Sequence, residues 1–153
     1  MPTPQGTSER RGGDRFLLHF EPHLPFAYET VWPALTTPEG LRGWLAEAEV
    51  LERRLGGAVT LRWIDEDAPA TGEVTAWDVE RVAEYTVDDH DRIRFHLEPL
   101  GTDSTLVRFT DDRHGSEREC AHCMELWQAR FERLESALAL TTPGAGPADP
   151  RGR

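Results

Sequence analysis

The two cysteines of the chain lie three residues apart, as Cys120 and Cys123 in the segment ECAHCMELW, with His122 between them. Thiols and an imidazole at such spacing are typical of a metal site or a redox site. A helix rotates about 100° per residue, which puts Cys120 in line with Met124 and Trp127 and Cys123 about 60° to one side. His122 falls on the opposite face of the same helix.

This geometry argues against both kinds of site. Tetrahedral zinc needs four converging ligands, and the segment offers at most two. A thioredoxin-like motif opens a helix that follows a parallel strand, whereas the strands around this segment follow one another at short intervals. The pattern therefore favours apolar packing, or the lining of a cavity, over a redox-sensitive thiol or a bound metal. We expect no metal and no cofactor.

Two other clusters of polar residues could likewise be either metal sites or ordinary structural segments. The segments DDHD (88–91) and DDRH (111–114) resemble metal loops, but both lie where turns are predicted, and aspartate favours turns. We interpret them as solvated loops. A general acid or base would have to point into the cavity, and the pattern places no His, Asp or Glu there convincingly, so Asp78 and Tyr85 are only the least poor candidates.

Composition excludes several classes of function. The 153 residues carry 17 cationic and 28 acidic side chains, for a net charge of −11, so nucleic acid and anionic membranes are disfavoured as partners. Every cation is arginine, which excludes lysine Schiff-base chemistry. No segment is long and apolar enough to span a membrane, and the first residues lack the apolar core of a secretory signal. We expect a cytoplasmic protein with reduced thiols.

The polar ends of the sequence bound one domain. We predict a disordered N-terminal arm over 1–14, a folded domain over 15–140, and a disordered tail over 141–153. Alternation predicts a strand over 15–21.

Two short helices are predicted to follow that strand. The first carries Val31 and Leu35 at helical spacing, and Pro33 inside it costs a hydrogen bond. The second begins after Thr37 as a cap, with Pro38 in the first turn.

Period-two patterns then predict an antiparallel meander of six strands, and a long amphipathic helix follows over 116–140. The predicted strands are 47–53, 57–63, 71–78, 82–87, 92–98 and 104–110.

This order of elements, together with particular residues, resembles the START-like (SRPBCC) superfamily. The branch it resembles is the bacterial one related to the activator of the 90-kDa heat-shock chaperone ATPase. The strongest match is VWPALTTPEGLRGWLA (31–46), which resembles the Val-Trp-x-Ala-Leu-Thr-x-Pro-Glu-x-Leu-x-x-Trp pattern of that branch. Weaker matches follow in the expected order, and the resemblance covers about 15–139: GG at 56–57, GEV at 72–74, STLVRFT at 104–110 and WQARFERL at 127–134.

The resemblance implies an α+β helix-grip fold, in which a curved antiparallel sheet wraps around the long C-terminal helix and leaves a cavity between them. Family members bind apolar or amphipathic molecules in that cavity, and some relatives cyclise or dehydrate polyketides. The chain departs from the family at Val79-Glu80, at Leu126 and at Asp111-Asp112, where the family commonly has Pro-Pro, glycine and a histidine. No catalytic residue is implied.

The alternation of the strands and the helical wheel define the side chains expected to face that cavity. Strand parity places His19, Arg62, Arg94, His96 and Arg108 on the outer face, where arginine and glutamate pair across strands. A one-residue bulge would turn any of them inward, and the sides of Trp77 and His96 stay open. The expected cavity residues are Leu61, Trp63, Val74, Tyr85, Phe95, Val107, Phe109, Cys120, Met124, Trp127 and Phe131.

Three functions compete on these grounds. The leading hypothesis is binding of a small apolar or amphipathic ligand in the cavity, as a carrier or a sensor. A cyclase- or dehydratase-like enzyme and a chaperone-associated interaction domain are the alternatives. The sequence leaves open whether the protein is a monomer or a homodimer.

Overall fold

A computed structural model describes residues 6–66, 68–88 and 91–141, so the predicted disordered tail lies outside the described residues apart from Thr141. Within those ranges the chain forms strands and helices in the order that the helix-grip fold requires. The strands are β1 Thr7–Gly12, β2 Arg15–Phe20, β3 His23–Leu24, β4 Ala46–Leu51, β5 Ala58–Trp63, β6 Pro69–Asp78, β7 Val82–Val87, β8 Asp91–Pro99 and β9 Thr105–His114. The helices are α1 Tyr28–Thr36, α2 Pro38–Arg42 and α3 Glu117–Thr141.

The described strands form one antiparallel sheet in the order β1-β2-β9-β8-β7-β6-β5-β4, with the short β3 added to β9. From β4 to β9 each strand pairs with its neighbour in sequence, which is the predicted meander. The long helix α3 lies against one face, where Trp127 and Phe131 contact the ring of Phe109. The α+β helix-grip fold is therefore confirmed.

The N-terminal segment differs from the prediction. Residues 1–14 were expected to form a disordered arm, whereas 7–12 form β1, which pairs with β2 from Thr7↔His19 to Gly12↔Arg15. All six residues of β1 are exposed, so no apolar alternation marks the strand in the sequence. Backbone hydrogen bonds to β2 attach it to the sheet, and these leave no signature in a polar sequence.

A bulge in β6 settles the side on which Trp77 lies. The register between β6 and β7 shifts between Val74 and Ala76, so that Val74 is buried while Trp77 also packs against the core. Its ring lies 5.2 Å from that of Trp32. His96, by contrast, follows the regular alternation of β8 and pairs with Arg108 on the outer face.

The last strand extends four residues further than predicted, and this changes the interpretation of DDRH. Strand β9 runs to His114, and its inward positions continue from Phe109 to Asp111, which is wholly buried. The prediction of a solvated loop over 111–114 is therefore wrong. In the other cluster, Asp88 is exposed after β7, residues 89–90 lie outside the described part, and Asp91 begins β8 half-buried.

The two short helices form as the sequence indicates. Thr37 caps α2 by accepting a 3.0 Å hydrogen bond from the backbone N–H of Gly40, and Pro38 occupies the first turn. Pro33 lies inside α1. Gly40 passes so close to α1 that a Cβ atom there would come within 2.1 Å of the carbonyl oxygen of Pro33. Among the described helices, none is long and apolar enough to cross a membrane.

Candidate functional site

The two thiols of α3 lie in different surroundings. Cys123 is buried, and Nη1 of Arg113 lies 3.1 Å from its Sγ atom, whereas Cys120 is half-buried. The helical wheel predicts that Cys120 is the more central of the two, whereas Cys123 is the more buried in the structure and lies beside Arg113 of β9. His122 is exposed, away from Cys123. Burial raises the pKa of the Cys123 thiol, and the Arg113 guanidinium only partly offsets this.

Most of the expected cavity residues form the packed interior. Phe109 lies at the centre, with ring centroids 4.3 Å from Trp127, 5.1 Å from Phe95 and 5.1 Å from Phe131. The Tyr85 hydroxyl donates a 2.8 Å hydrogen bond to the carbonyl of Leu35, so its polar end is used by the backbone. The remaining members with no exposed surface are Leu61, Val74 and Val107.

Two adjoining spaces lie beside this interior, between the β1–β2 hairpin and α3, and together we name them the hairpin groove. One measures about 480 Å³ and is lined by Phe16, Cys120, Ala121 and Met124 together with polar residues of β1. The other measures about 320 Å³. It shares Met124 and adds Phe20, Gly6, Glu125, Gln128, Ala129 and Glu132.

The floor of the hairpin groove is apolar and its rim is polar. Phe16 and Phe20 are buried side chains of β2 whose rings line the two spaces. Gly6 approaches Phe20 so closely that a Cβ atom would come within 2.5 Å of the ring. Arg10 of β1 bridges to Glu117 of α3 at 3.4 Å, and both side chains are exposed. This ion pair spans one end of the groove.

A third space of about 180 Å³, which we name the polar pocket, lies between α3 and the far ends of β5, β7 and β8. Trp63 is the expected cavity residue that reaches it. Its polar lining residues are Glu66, Asp88, Asp91, Arg113, Cys123 and Arg130.

Asp111 lies behind the polar pocket and connects β9 to α3. Its carboxylate accepts a 2.9 Å hydrogen bond from Nε1 of Trp127 and a 3.2 Å hydrogen bond from Nε of Arg113. Desolvation of the wholly buried group raises the pKa of Asp111, against the opposing effect of these two donors. In turn, the carboxylates of Asp111 and Asp91 outweigh the cost of burial for Arg113 and raise the pKa of its guanidinium.

Arg130 is buried more deeply than Arg113, which keeps part of its side chain exposed. Its guanidinium lies between two indole rings, 4.8 Å from the centroid of Trp63 and 4.6 Å from that of Trp127. Nε and Nη2 each donate a 2.9 Å hydrogen bond to Asp65, and Nη2 of Arg133 donates another. Burial opposes the ionisation of Asp65, but the two arginines outweigh it and lower its pKa.

These buried polar residues are ones that sequence reasoning missed. Asp111 and Arg113 fall at the spacing of two that Val107 and Phe109 begin, so extending that alternation would have placed them inward. Asp91 lines the polar pocket half-buried, and desolvation raises its pKa, with Asp111 and Asp88 adding to the effect.

The two residues considered for general acid or base catalysis are placed elsewhere. Asp78 is exposed at the end of β6, and Tyr85 is bound to the backbone. Over residues 6–66, 68–88 and 91–141, no group of three or more His, Cys, Asp or Glu side chains is arranged to hold a metal ion.

Comparison with solved structures places the fold among bacterial proteins of similar size. The protein MLL2253 of Mesorhizobium loti superposes with a TM-score of 0.70 at 23% identity, covering 82% of this chain and 98% of that one. The Aha1 dimer of Colwellia psychrerythraea gives 0.68 at 21% identity, with coverage of 82% and 98%. CalU16 of Micromonospora echinospora gives 0.71 at 18% identity, with coverage of 88% and 85%.

Sequence comparison identifies the family. No curated protein matches the chain significantly. The family model described as "Activator of Hsp90 ATPase homolog 1-like protein" matches residues 25–139, which is most of the chain and nearly the whole helix-grip domain. The match begins at the loop before α1 and ends near the end of α3. The chain therefore belongs to the family of Activator of Hsp90 ATPase homolog 1-like proteins.

Proposed function

We propose that this protein binds a small apolar or amphipathic molecule in the hairpin groove, as a carrier or a sensor. The observation that carries the proposal is the pair of adjoining spaces of about 480 Å³ and about 320 Å³ over an apolar floor. Pockets for small organic ligands commonly measure about 300–1,000 Å³ and combine apolar walls with a few polar groups. The superfamily includes ligand-binding and cyclase-like members, which is consistent with this class of function.

The groove, rather than the interior, is the place that we propose for the ligand. The rings of Phe109, Trp127 and Phe131 are in mutual contact, so a ligand among them would have to displace packed side chains. Separating such rings costs about 0.5–1.5 kcal/mol per aromatic pair beyond the apolar area that is lost. In the groove, Phe16 and Met124 are already turned towards open space.

The β1 wall of the groove is held loosely enough for a ligand to enter, and it also offers polar groups that can bind the ligand. The wall from β1 is attached by backbone pairing to β2 and by the exposed pair Arg10–Glu117. An exposed ion pair contributes about 0–1 kcal/mol, so a polar ligand group can replace it at little cost. Ser8, Glu9 and Arg10 then supply hydrogen-bonding groups at the rim.

A matched pair of variants tests the proposal. Ala121 lines the groove, whereas Ala139 is exposed on the same helix outside it. Ala121→Trp fills the space and should weaken binding of the uncharged fluorophore N-phenylnaphthylamine about tenfold, equivalent to about 1.4 kcal/mol. Ala139→Trp should leave binding unchanged.

Native mass spectrometry of protein purified without refolding supplies a second readout. We expect a small molecule that co-purifies with the wild-type protein and with Ala139→Trp, and that is depleted from Ala121→Trp. Equal binding of the fluorophore by both variants would contradict the proposed site.

An enzymatic function has one specific observation in its favour. Asp91 is half-buried and lines the polar pocket with a raised pKa, and a carboxyl with a raised pKa in a cleft is typical of a general acid. The pocket measures only about 180 Å³, which is smaller than a polyketide-sized substrate needs. Ligand binding therefore stays the function that we propose.

A further inference from the structure

The charges around the hairpin groove are strongly unequal. Its lining contains the acidic residues Glu9, Glu117, Glu125 and Glu132 and the single cation Arg10, which gives four negative charges against one positive. The groove therefore carries three of the 11 excess negative charges of the whole chain on a small area. Field lines concentrate in such a concave site because its walls are poorly polarisable.

The acidic side chains differ in whether they are already paired. Glu9 lies 3.2 Å from Nη1 of Arg11, and Glu117 lies 3.4 Å from Arg10, so both have a cation beside them. Along the described chain, Glu125 has no cationic partner, and Glu132 accepts only a 3.3 Å hydrogen bond from the neutral amide of Gln128. Two carboxylates at this end of the groove are thus left without a counter-charge.

The positions of these two carboxylates on α3 give the geometry of the unpaired charge. Glu125 and Glu132 are seven residues apart, about two helical turns, so both face the same side at a separation of about 10 Å. The apolar residues Phe20, Met124 and Ala129 lie in the same space. A ligand in contact with these residues would meet an apolar surface along its body and two carboxylates around its end.

We propose that the ligand of the hairpin groove is a cationic amphiphile, an apolar chain or ring system that ends in an ammonium group. This inference rests on the proposed function and names the chemical class of its ligand. The apolar body lies over Phe16, Phe20 and Met124, and the ammonium group lies between Glu125 and Glu132. An anionic ligand, such as a fatty acid, meets like charges at the same place and is excluded.

The probes that test this inference share a ten-carbon chain and differ in the net charge of their head groups. Decyltrimethylammonium is cationic, decyldimethylamine oxide is uncharged near neutral pH, and decanoate is anionic, and all three are used below their micelle-forming concentrations. Isothermal titration calorimetry with the full chain measures each affinity. At about 0.01 M salt we expect the cation to bind about tenfold tighter than the amine oxide, and decanoate to bind most weakly. At about 0.15 M salt the Debye length shrinks from about 30 Å to about 8 Å, so the preference should fall severalfold.

Two double variants of equal net charge separate a local effect from a general one. Glu125→Gln with Glu132→Gln removes the unpaired carboxylates of the groove, whereas Glu39→Gln with Glu80→Gln removes two charges from α2 and from the β6–β7 turn. The Glu125/Glu132 variant should lose the preference for the cation but keep its affinity for the amine oxide. The Glu39/Glu80 variant should keep the preference and the affinity. Glu39, Glu125 and Glu132 are exposed and Glu80 is half-buried in a turn, so we expect both variants to fold.

The outcomes separate this inference from the proposed function. If the cation and the amine oxide bind the wild type equally, or the preference survives in the Glu125/Glu132 variant, the cationic class is wrong and the groove remains a binding site. If neither probe binds, or Ala121→Trp binds the amine oxide as tightly as wild type, the groove itself is overturned.

Discussion

The indole nitrogen of Trp127 donates a 2.9 Å hydrogen bond to Oδ2 of Asp111, and this bond joins the long helix to β9 inside the protein. The same carboxylate holds Nε of Arg113, whose Nη1 reaches the thiol of Cys123. One buried carboxyl group therefore satisfies the indole N–H, and together with Asp91, 3.8 Å from Arg113, it balances the charge of that arginine. Removal of a buried partner is costly because the remaining polar groups have lost their hydration and gained nothing in return.

Substitution of Asp111 should lower stability according to how many of these contacts are lost. Asp111→Leu leaves the Trp127 N–H without its acceptor and the Arg113 charge with only the more distant Asp91, and we expect the free energy of unfolding to fall by about 3–5 kcal/mol. Asp111→Asn keeps an acceptor for Trp127 and should cost about 1–2 kcal/mol. Urea denaturation measures both, with the exposed Asp103→Asn as a control within about 0.5 kcal/mol of wild type. Equal losses for Leu and Asn would show that the hydrogen bond from Trp127 contributes nothing.

Stability should depend on pH through the same residue. Burial raises the pKa of Asp111 above its ordinary value near 3.8, so the folded state holds this proton more tightly than the unfolded state. The stability contributed by Asp111 is therefore complete below that ordinary value and is lost as pH rises through the raised pKa. Urea denaturation across this pH range should show wild type losing stability relative to Asp111→Asn as pH rises. If wild type instead gained stability relative to Asp111→Asn as pH rises, the pKa of Asp111 would be lowered, because the charge of Arg113 outweighs desolvation.

The two thiols should react at different rates. Cys120 is half-buried and lines the groove, whereas Cys123 is buried and its pKa is raised, and the thiolate is the reactive form. In the folded protein, we expect Ellman's reagent to label Cys120 at least about tenfold faster than Cys123. Cys120→Ser should remove the fast phase and Cys123→Ser the slow one. In urea the two rates should converge, and a fast phase that survives Cys120→Ser would contradict the assignment.

Two glycines near α2 provide a matched test of packing. A Cβ atom at Gly40 would lie 2.1 Å from the carbonyl oxygen of Pro33, whereas one at Gly43 meets its nearest neighbours at 3.5 Å. Gly40→Ala should therefore reduce the free energy of unfolding by about 1–3 kcal/mol or more, because α1 and α2 must move apart. Gly43→Ala should be neutral or stabilising by up to about 1 kcal/mol, since it restricts the unfolded chain. Thermal and urea denaturation of the two variants measure the difference, and equal losses would show that α1 and α2 are not in close contact at Gly40.

The fold could be predicted because its signals are local. The adjacent residues Thr37 and Pro38 mark the start of α2, and period-two alternation locates β4 to β9 to within a few residues. The family resemblance predicts how the sheet is arranged around α3. The family model that matches residues 25–139 confirms the resemblance.

The candidate site was harder to predict because its residues depend on long-range contacts. Asp111 was assigned to a turn because aspartate favours turns, yet Trp127 and Arg113 hold it in the interior. Cys123 is buried beside Arg113 of β9, and a helical wheel of α3 alone does not include this contact. β1 was missed since its exposed side chains are polar on both faces.

Because β1 is attached to the sheet through its backbone, its side chains contribute little to the stability of the fold. Its side chains are exposed, and it joins the sheet through its backbone, so we expect substitutions of Ser8, Glu9 or Arg10 to change stability by about 0.5 kcal/mol or less. Ser8, Glu9 and Arg10 nevertheless form one wall of the groove. Substitutions at these three positions could therefore change the shape and charge of the proposed binding site while the helix-grip core remains unchanged.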